Sequence, residues 1–149
     1  VIEFLRKAAP GKPVCLIGTS NGSLSATSGA ALLKGEKGPD CIVLTSSVNI
    51  KPKSSIVARF AHVFTDADLA QITVPVLIVH HKNDPCSHTP FEPMLAYVKA
   101  FTNAPKVDFI AVEGGQGHFD ACNRGHHQFL GIEREVTAQI ADWIKSLPR

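Results

Sequence analysis

Apolar runs of strand length alternate along this chain with stretches in which apolar residues recur at helical spacing. Ile2, Leu5 and Ala8 or Ala9 share one side of an opening helix over residues 1–9, which Pro10-Gly11-Lys12-Pro13 stops. Residues 14–19 form the first strand. Residues 23–34, rich in Ala, Ser and Leu and free of Pro, predict a helix, with Gly35 placed where a C-cap favours glycine. Residues 41–46 are the next strand. The connection 47–66 carries Val57, Phe60, Val63 and Phe64, which fit helix or extended chain equally, and residues 66–71 read as a short helical turn. Residues 74–80 are a nearly continuous apolar run with Pro75 near its beginning, as expected of a strand buried on both faces. Phe91, Met94, Leu95, Val98 and Phe101 share one face of a helix over residues 89–102. Residues 106–113 make a further strand, closed by Gly114-Gly115-Gln116-Gly117. In the last helix, residues 132–147, Ile132, Val136, Ile140, Ile144 and Leu147 form one stripe, with Glu133 and Glu135 at its positively polarised end. This alternation, without internal repeats, predicts a single domain over residues 1–149: a three-layer α/β/α sandwich around a mostly parallel sheet of about four strands.

Length and composition narrow the function. At 149 residues, 44% hydrophobic and 19% charged, the chain has the make-up of one ordinary globular domain, which excludes general disorder. Fifteen Lys and Arg against thirteen Asp and Glu give a net charge of +2 with no basic block or stripe, so nucleic acid is not an expected partner. No apolar run approaches the roughly 18 residues of a membrane span. The first residue is Val, and residues 1–8 read as the middle of an element, so the chain is expected to be part of a longer one, its true start and any leader out of view.

Cys15 and Cys41 lie inside apolar runs and read as small buried hydrophobes. Cys86 and Cys122 lie in polar stretches, Asn83-Asp84-Pro85-Cys86 and Asp120-Ala121-Cys122-Asn123, where a disulfide between them would disturb no core. Such a bond implies the periplasm or the outside of the cell; without it the cytoplasm is the default. Neither cysteine belongs to a C-x-x-C pair, and adjacent histidines such as His80-His81 would point to opposite faces of a strand, so no metal is expected. Gly114–Gly117 lacks the spacing of a dinucleotide loop, and no cofactor is expected.

The chemistry centres on Gly18-Thr19-Ser20-Asn21-Gly22, a G-x-S-x-G stretch between a predicted strand and a predicted helix. A turn this tight needs small residues on either side of Ser20 and lifts its hydroxyl above the carboxyl edge of the sheet. A serine nucleophile also needs a base and an orienting carboxylate. Asp84 follows the strongest strand and so lies at the same edge, whereas Asp40, Asp66 and Asp68 precede their strands and Asp120 is a weaker rival.

These segments resemble the C-terminal part of an α/β-hydrolase. The likeness runs through Pro13–Gly22 at the nucleophile elbow, Val74–Asp84 at the acid strand, and the loop and terminal helix through Trp143. The Ser, Asp, His order is that of the family; the strands that precede the elbow in the family have no counterpart here. The resemblance implies Ser20 as nucleophile, Asp84 as acid and the backbone N–H of Asn21 as one oxyanion donor. It also implies that a second donor comes from an N-terminal half of the fold or from a second chain. For the base, His118 follows the last strand as Gly117-His118, and His126 and His127 compete with it. In the subgroup most resembled, cysteines flank the acid and histidine loops and the base stands in an H-x-F-x-G-x-E stretch, here His127–Glu133, which favours His127. The implied activity is ester hydrolysis through an acyl-enzyme on a small-molecule substrate. The alternatives are an acyltransferase or thioesterase, a catalytically incomplete fragment, or a binding protein on the same fold.

Overall fold

Four short aliphatic runs become the strands of one parallel sheet in the computed structural model, which describes residues 1–50 and 66–148. In chain order the elements are α1 (Ile2–Ala8), β1 (Cys15–Thr19), α2 (Asn21–Leu32), a 3-10 turn (Gly35–Lys37), β2 (Cys41–Thr45), α3 (Asp66–Leu69), β3 (Val76–His81), α4 (Met94–Lys99), β4 (Val107–Val112), a second 3-10 turn (Gly125–Gln128) and α5 (Glu133–Ser146). The strands lie side by side in sequence order, β1-β2-β3-β4. Parallel neighbours need a crossover each time; α2, α3 and α4 of these crossovers lie on one face of the sheet, and the C-terminal α5 covers the other.

Alternation along each strand divides the core in two. Leu16, Ile42, Leu44, Val76 and Ile78 face one way and pack with Ala26 and Ala30 of α2, Leu69, Met94 and Phe101. Cys41, Val43, Leu77 and Val79 face the other way and pack with Val136 and Trp143 of α5. The central strands β2 and β3 are buried along their whole length, as their unbroken apolar runs require. By contrast β1 pairs with β2 alone among the described residues, and its Ile17 remains 57% exposed.

Two expectations are corrected here. The helix expected over residues 89–102 is confined to Met94–Lys99. Pro90 and Pro93 lack the N–H that a continuous helix over these residues would need, and the helix starts only after Pro93. Leu95, placed on the apolar face by its spacing, is consequently 62% exposed, while Met94 and Phe101 are buried. Cys15 and Cys41 are not free hydrophobes but form a disulfide, Cα atoms 4.6 Å apart. They are register partners on adjacent parallel strands, with side chains on the same face, and that register cannot be read from either strand alone. The uncommitted segment carrying Val57, Phe60, Val63 and Phe64 lies outside the described residues.

Arg6 of α1 is anchored through Asp40: its guanidinium makes two 3.0 Å bonds to that carboxylate and donates to the carbonyls of Glu36 and Gly38. Asp40 also accepts the Val14 N–H at 2.7 Å. Partial burial opposes its ionisation, but Arg6 and the Val14 amide outweigh that and hold the carboxyl below the usual range. A depressed folded-state value means stabilisation that is present above the unfolded carboxyl pKa of about 4 and is lost as pH falls through the folded value. The pair is partly exposed, so solvent screening limits the effect. Asp40→Asn is expected to cost about 1 kcal/mol at pH 7 and much less near pH 3, read from urea midpoints. An equal cost at both pH values would show that the charge is not the source.

Candidate active site

Between β1 and α2 the backbone turns on Ser20, whose φ of 52° and ψ of −121° lie where a side chain is rarely found. A conformation of this kind costs on the order of 1–3 kcal/mol and persists only where its surroundings enforce it. Here the Ser20 N–H donates to the Thr45 carbonyl at 3.0 Å, and the Ser20 carbonyl accepts both the N–H and the Oγ–H of Ser23. The two glycines of the G-x-S-x-G stretch are not equivalent. A Cβ at Gly18 would stand 2.3 Å from the Gly22 carbonyl oxygen, whereas one at Gly22 would meet nothing within 4 Å. Close packing of strand end against first helical turn therefore demands glycine at 18 only, which corrects the expectation that both sides of the turn need a small residue.

Asp84 stands in the turn after β3 and His127 in the second 3-10 turn, and the two meet in the interior. His127 Nδ1 lies 2.9 Å from Oδ2 and 3.1 Å from Oδ1 of Asp84. The carboxylate also accepts the Cys86 N–H at 3.0 Å and the Thr89 hydroxyl at 2.8 Å. Burial disfavours the charge on Asp84, yet these donors together, His127 foremost, hold its carboxyl below the usual range. An ionised acceptor at Nδ1 fixes the histidine tautomer, with the proton on Nδ1 and the lone pair on Nε2. That Nε2 is buried and has no hydrogen-bond partner among the described residues.

Ser20 and His127 are both anchored at the end of β2. Ser20 bonds Thr45 through its amide, while the next residue, Ser46, donates its hydroxyl to the His127 carbonyl at 2.7 Å. Thr19 and Thr45 beside Ser20, with Gln128 and Phe129 after His127, line one cleft of about 330 Å³ that runs along β1 toward Val136 and Ile140 of α5.

The other histidines are engaged elsewhere. His118 Nδ1 accepts the Asp120 N–H within its own loop. His126 stacks on His81 at 4.2 Å between ring centroids and turns Nδ1 to the Asn83 carbonyl. Cys86 and Cys122 are joined, Cα atoms 4.6 Å apart, which ties the Asp84 turn to the loop leading into His127. The sequence reading missed three groups around this pair: Thr89, His80 and Ser46. His80 is fully buried, with Nε2 2.8 Å from the Thr89 carbonyl and 3.6 Å from Asp84. Burial pushes its pKa down, only partly offset by the Thr89 carbonyl and Asp84. A histidine one residue before another, inside an apolar strand, was the available signal.

Protein-family models and curated proteins give no match to this chain. Solved structures do. A monoacylglycerol lipase of Paleococcus ferrophilus superimposes over 97% of this chain and 71% of its own, with a TM-score of 0.67 and 15% identity. An esterase of Pyrococcus furiosus is similar over 97% of this chain and 57% of its own, with a TM-score of 0.66 and 15% identity. A Xanthomonas campestris protein described as a hydrolase of the alpha/beta superfamily covers 98% of this chain, at 20% identity and a TM-score of 0.57, while the chain spans 65% of it. With a four-stranded parallel sheet between helices, this chain has the α/β-hydrolase fold.

Proposed function

We propose that the chain is a serine hydrolase acting on small carboxylic esters. The observation that carries this reading is a buried histidine held by an ionised carboxylate at Nδ1, its Nε2 bare, at the sheet edge where Ser20 occupies a strained strand-to-helix turn. In this mechanism Ser20 Oγ attacks the ester carbonyl carbon while His127 Nε2 takes the hydroxyl proton. The tetrahedral oxyanion is met by the Asn21 N–H at the head of α2, the residue after the nucleophile. Collapse breaks the C–O bond, and His127 returns the proton to the leaving alcohol. Water then attacks the acyl-enzyme with His127 again as base, releasing the acid and restoring Ser20. Asp84 stays ionised throughout and balances the imidazolium.

A second oxyanion donor is supplied by a further segment of the fold. Two features support this: among the described residues β1 has a neighbour on one side only, and the related structures are longer than this chain. We assign that segment to an N-terminal half in the same chain or to a second one. Two disulfides favour an oxidising compartment, periplasmic or extracellular.

Labelling by a fluorophosphonate, followed by intact mass, tests the assignment. The parent is expected to gain one adduct, Ser20→Ala and His127→Ala none, and His118→Ala the same adduct as the parent. A folded parent that stays unlabelled would overturn the reading that this chain alone carries an activated serine, and loss in His118→Ala with retention in His127→Ala would overturn the choice of base.

A further inference from the structure

The disulfide beside the candidate triad has a third companion. His88 lies two residues after Cys86, and one ring nitrogen of His88 and the sulfurs of Cys86 and Cys122 all lie within 4.8 Å of one another. Among the described residues no hydrogen bond reaches the His88 ring, although its backbone is pinned by the Asn49 N–H on its carbonyl. A disulfide has no use for such a neighbour, whereas two thiolates and an imidazole are the donor set of a zinc site. We propose that, once a dithiol has reduced the Cys86–Cys122 bond, Cys86, His88 and Cys122 bind one zinc ion, with water as fourth ligand.

Geometry and chemistry both allow it. Zinc bonds of about 2.0–2.3 Å in a tetrahedron place ligand atoms roughly 3.5–4 Å apart, a spacing that side-chain rotation reaches from the present cluster. The backbone that carries the ligands is held independently of the disulfide: the Cys86 N–H donates to Asp84 and its carbonyl accepts the Thr89 N–H. Cys86 is buried while His88 and Cys122 are half-buried, so solvent can deliver the ion and complete its shell. In the reduction the dithiol passes two electrons and two protons to the bond and closes to its own disulfide, leaving two thiols; zinc then displaces both thiol protons into solvent. The ion would replace one cross-link between the Asp84 turn and the His127 loop by another, so the two loops stay tied under reducing conditions. The inference does not rest on hydrolase activity.

Cobalt(II), a spectroscopic stand-in for zinc, provides the test. The anaerobically reduced chain, its fold followed by far-ultraviolet circular dichroism, is titrated with cobalt and back-titrated with zinc. One cobalt per chain with thiolate charge-transfer absorption is expected, displaced by zinc, and none in the oxidised chain. His88→Ala is expected to weaken binding about tenfold or more. Cys122→Ser should remove the charge-transfer band although Cys15 and Cys41 remain. The proposal is overturned if the reduced chain shows no band, or loses its fold without recovery on adding metal. It is equally overturned if His88→Ala binds as tightly as the parent or Cys122→Ser keeps the band.

Discussion

Asp84→Asn is expected to leave the chain folded and to slow both ester turnover and fluorophosphonate labelling by about four orders of magnitude, the loss seen when the acid of a serine triad becomes an amide. Asp84 serves three donors at once: the Cys86 N–H, the Thr89 hydroxyl and His127 Nδ1. An asparagine offers one acceptor oxygen and one donor group, so whichever way it turns, one of these donors faces an N–H. The least costly accommodation has the oxygen on the Cys86 amide and the NH2 toward His127. That orientation leaves the imidazole proton on Nε2, the wrong tautomer for a base. Unchanged circular dichroism with a rate lowered about 10⁴-fold is the expected pair of results. A rate within about tenfold of the parent would remove Asp84 from the mechanism, since a merely structural carboxylate has no such hold on the histidine tautomer.

Removal of the second disulfide has the largest expected effect on stability. Cys86 and Cys122 are 36 residues apart in sequence, and closing a loop of that size removes about 4 kcal/mol of unfolded-chain entropy by the usual estimate. Cys86→Ala/Cys122→Ala is therefore expected to lower the melting temperature by roughly 10 °C. It should also slow labelling of Ser20, because the bond ties the turn of Asp84 to the loop before His127 across 43 residues of sequence. Cys15→Ala/Cys41→Ala provides the contrast. That bond joins register partners in a sheet already held by its ladder, so stability should fall while the labelling rate of the folded protein is kept. Equal labelling rates in both double variants would show that the Cys86–Cys122 bond does not position the triad; a stability change under about 1 kcal/mol would contradict the entropic argument.

Local features that bury apolar surface were legible because periodicity reports burial directly. The sheet strands and the α5 stripe of Val136, Ile140 and Ile144 appear where the pattern predicts them. Helix α4 was over-read because spacing says nothing of the N–H groups that Pro90 and Pro93 lack. Ser20 was legible for a similar local reason: a glycine at 18, a strand before and a helix after are all within a few residues of it, and the one incompatible Cβ position is local too.

The Asp84 and His127 pair was only half legible. The residue types and their order were in the sequence, but three histidines in one loop could not be ranked by local physics, and a family resemblance favoured one. Their separation is decided by what each ring meets: Asp84 for His127, the stacked His81 and the Asn83 carbonyl for His126, an amide of its own loop for His118. Thr89 and His80 belong to the same network through contacts across turns that no spacing encodes.

The sequence by itself determined the alternation of strands and helices, the burial of β2 and β3, and the strand–serine–helix turn, since each depends on the order of neighbouring side chains and their hydration. Tertiary structure alone decided the pairing of Cys15 with Cys41, which histidine meets Asp84 and the nearness of His88 to two cysteines. Those outcomes depend on strand register and on loops meeting above the sheet, which are settled by the packing of the whole chain and not by any stretch of it.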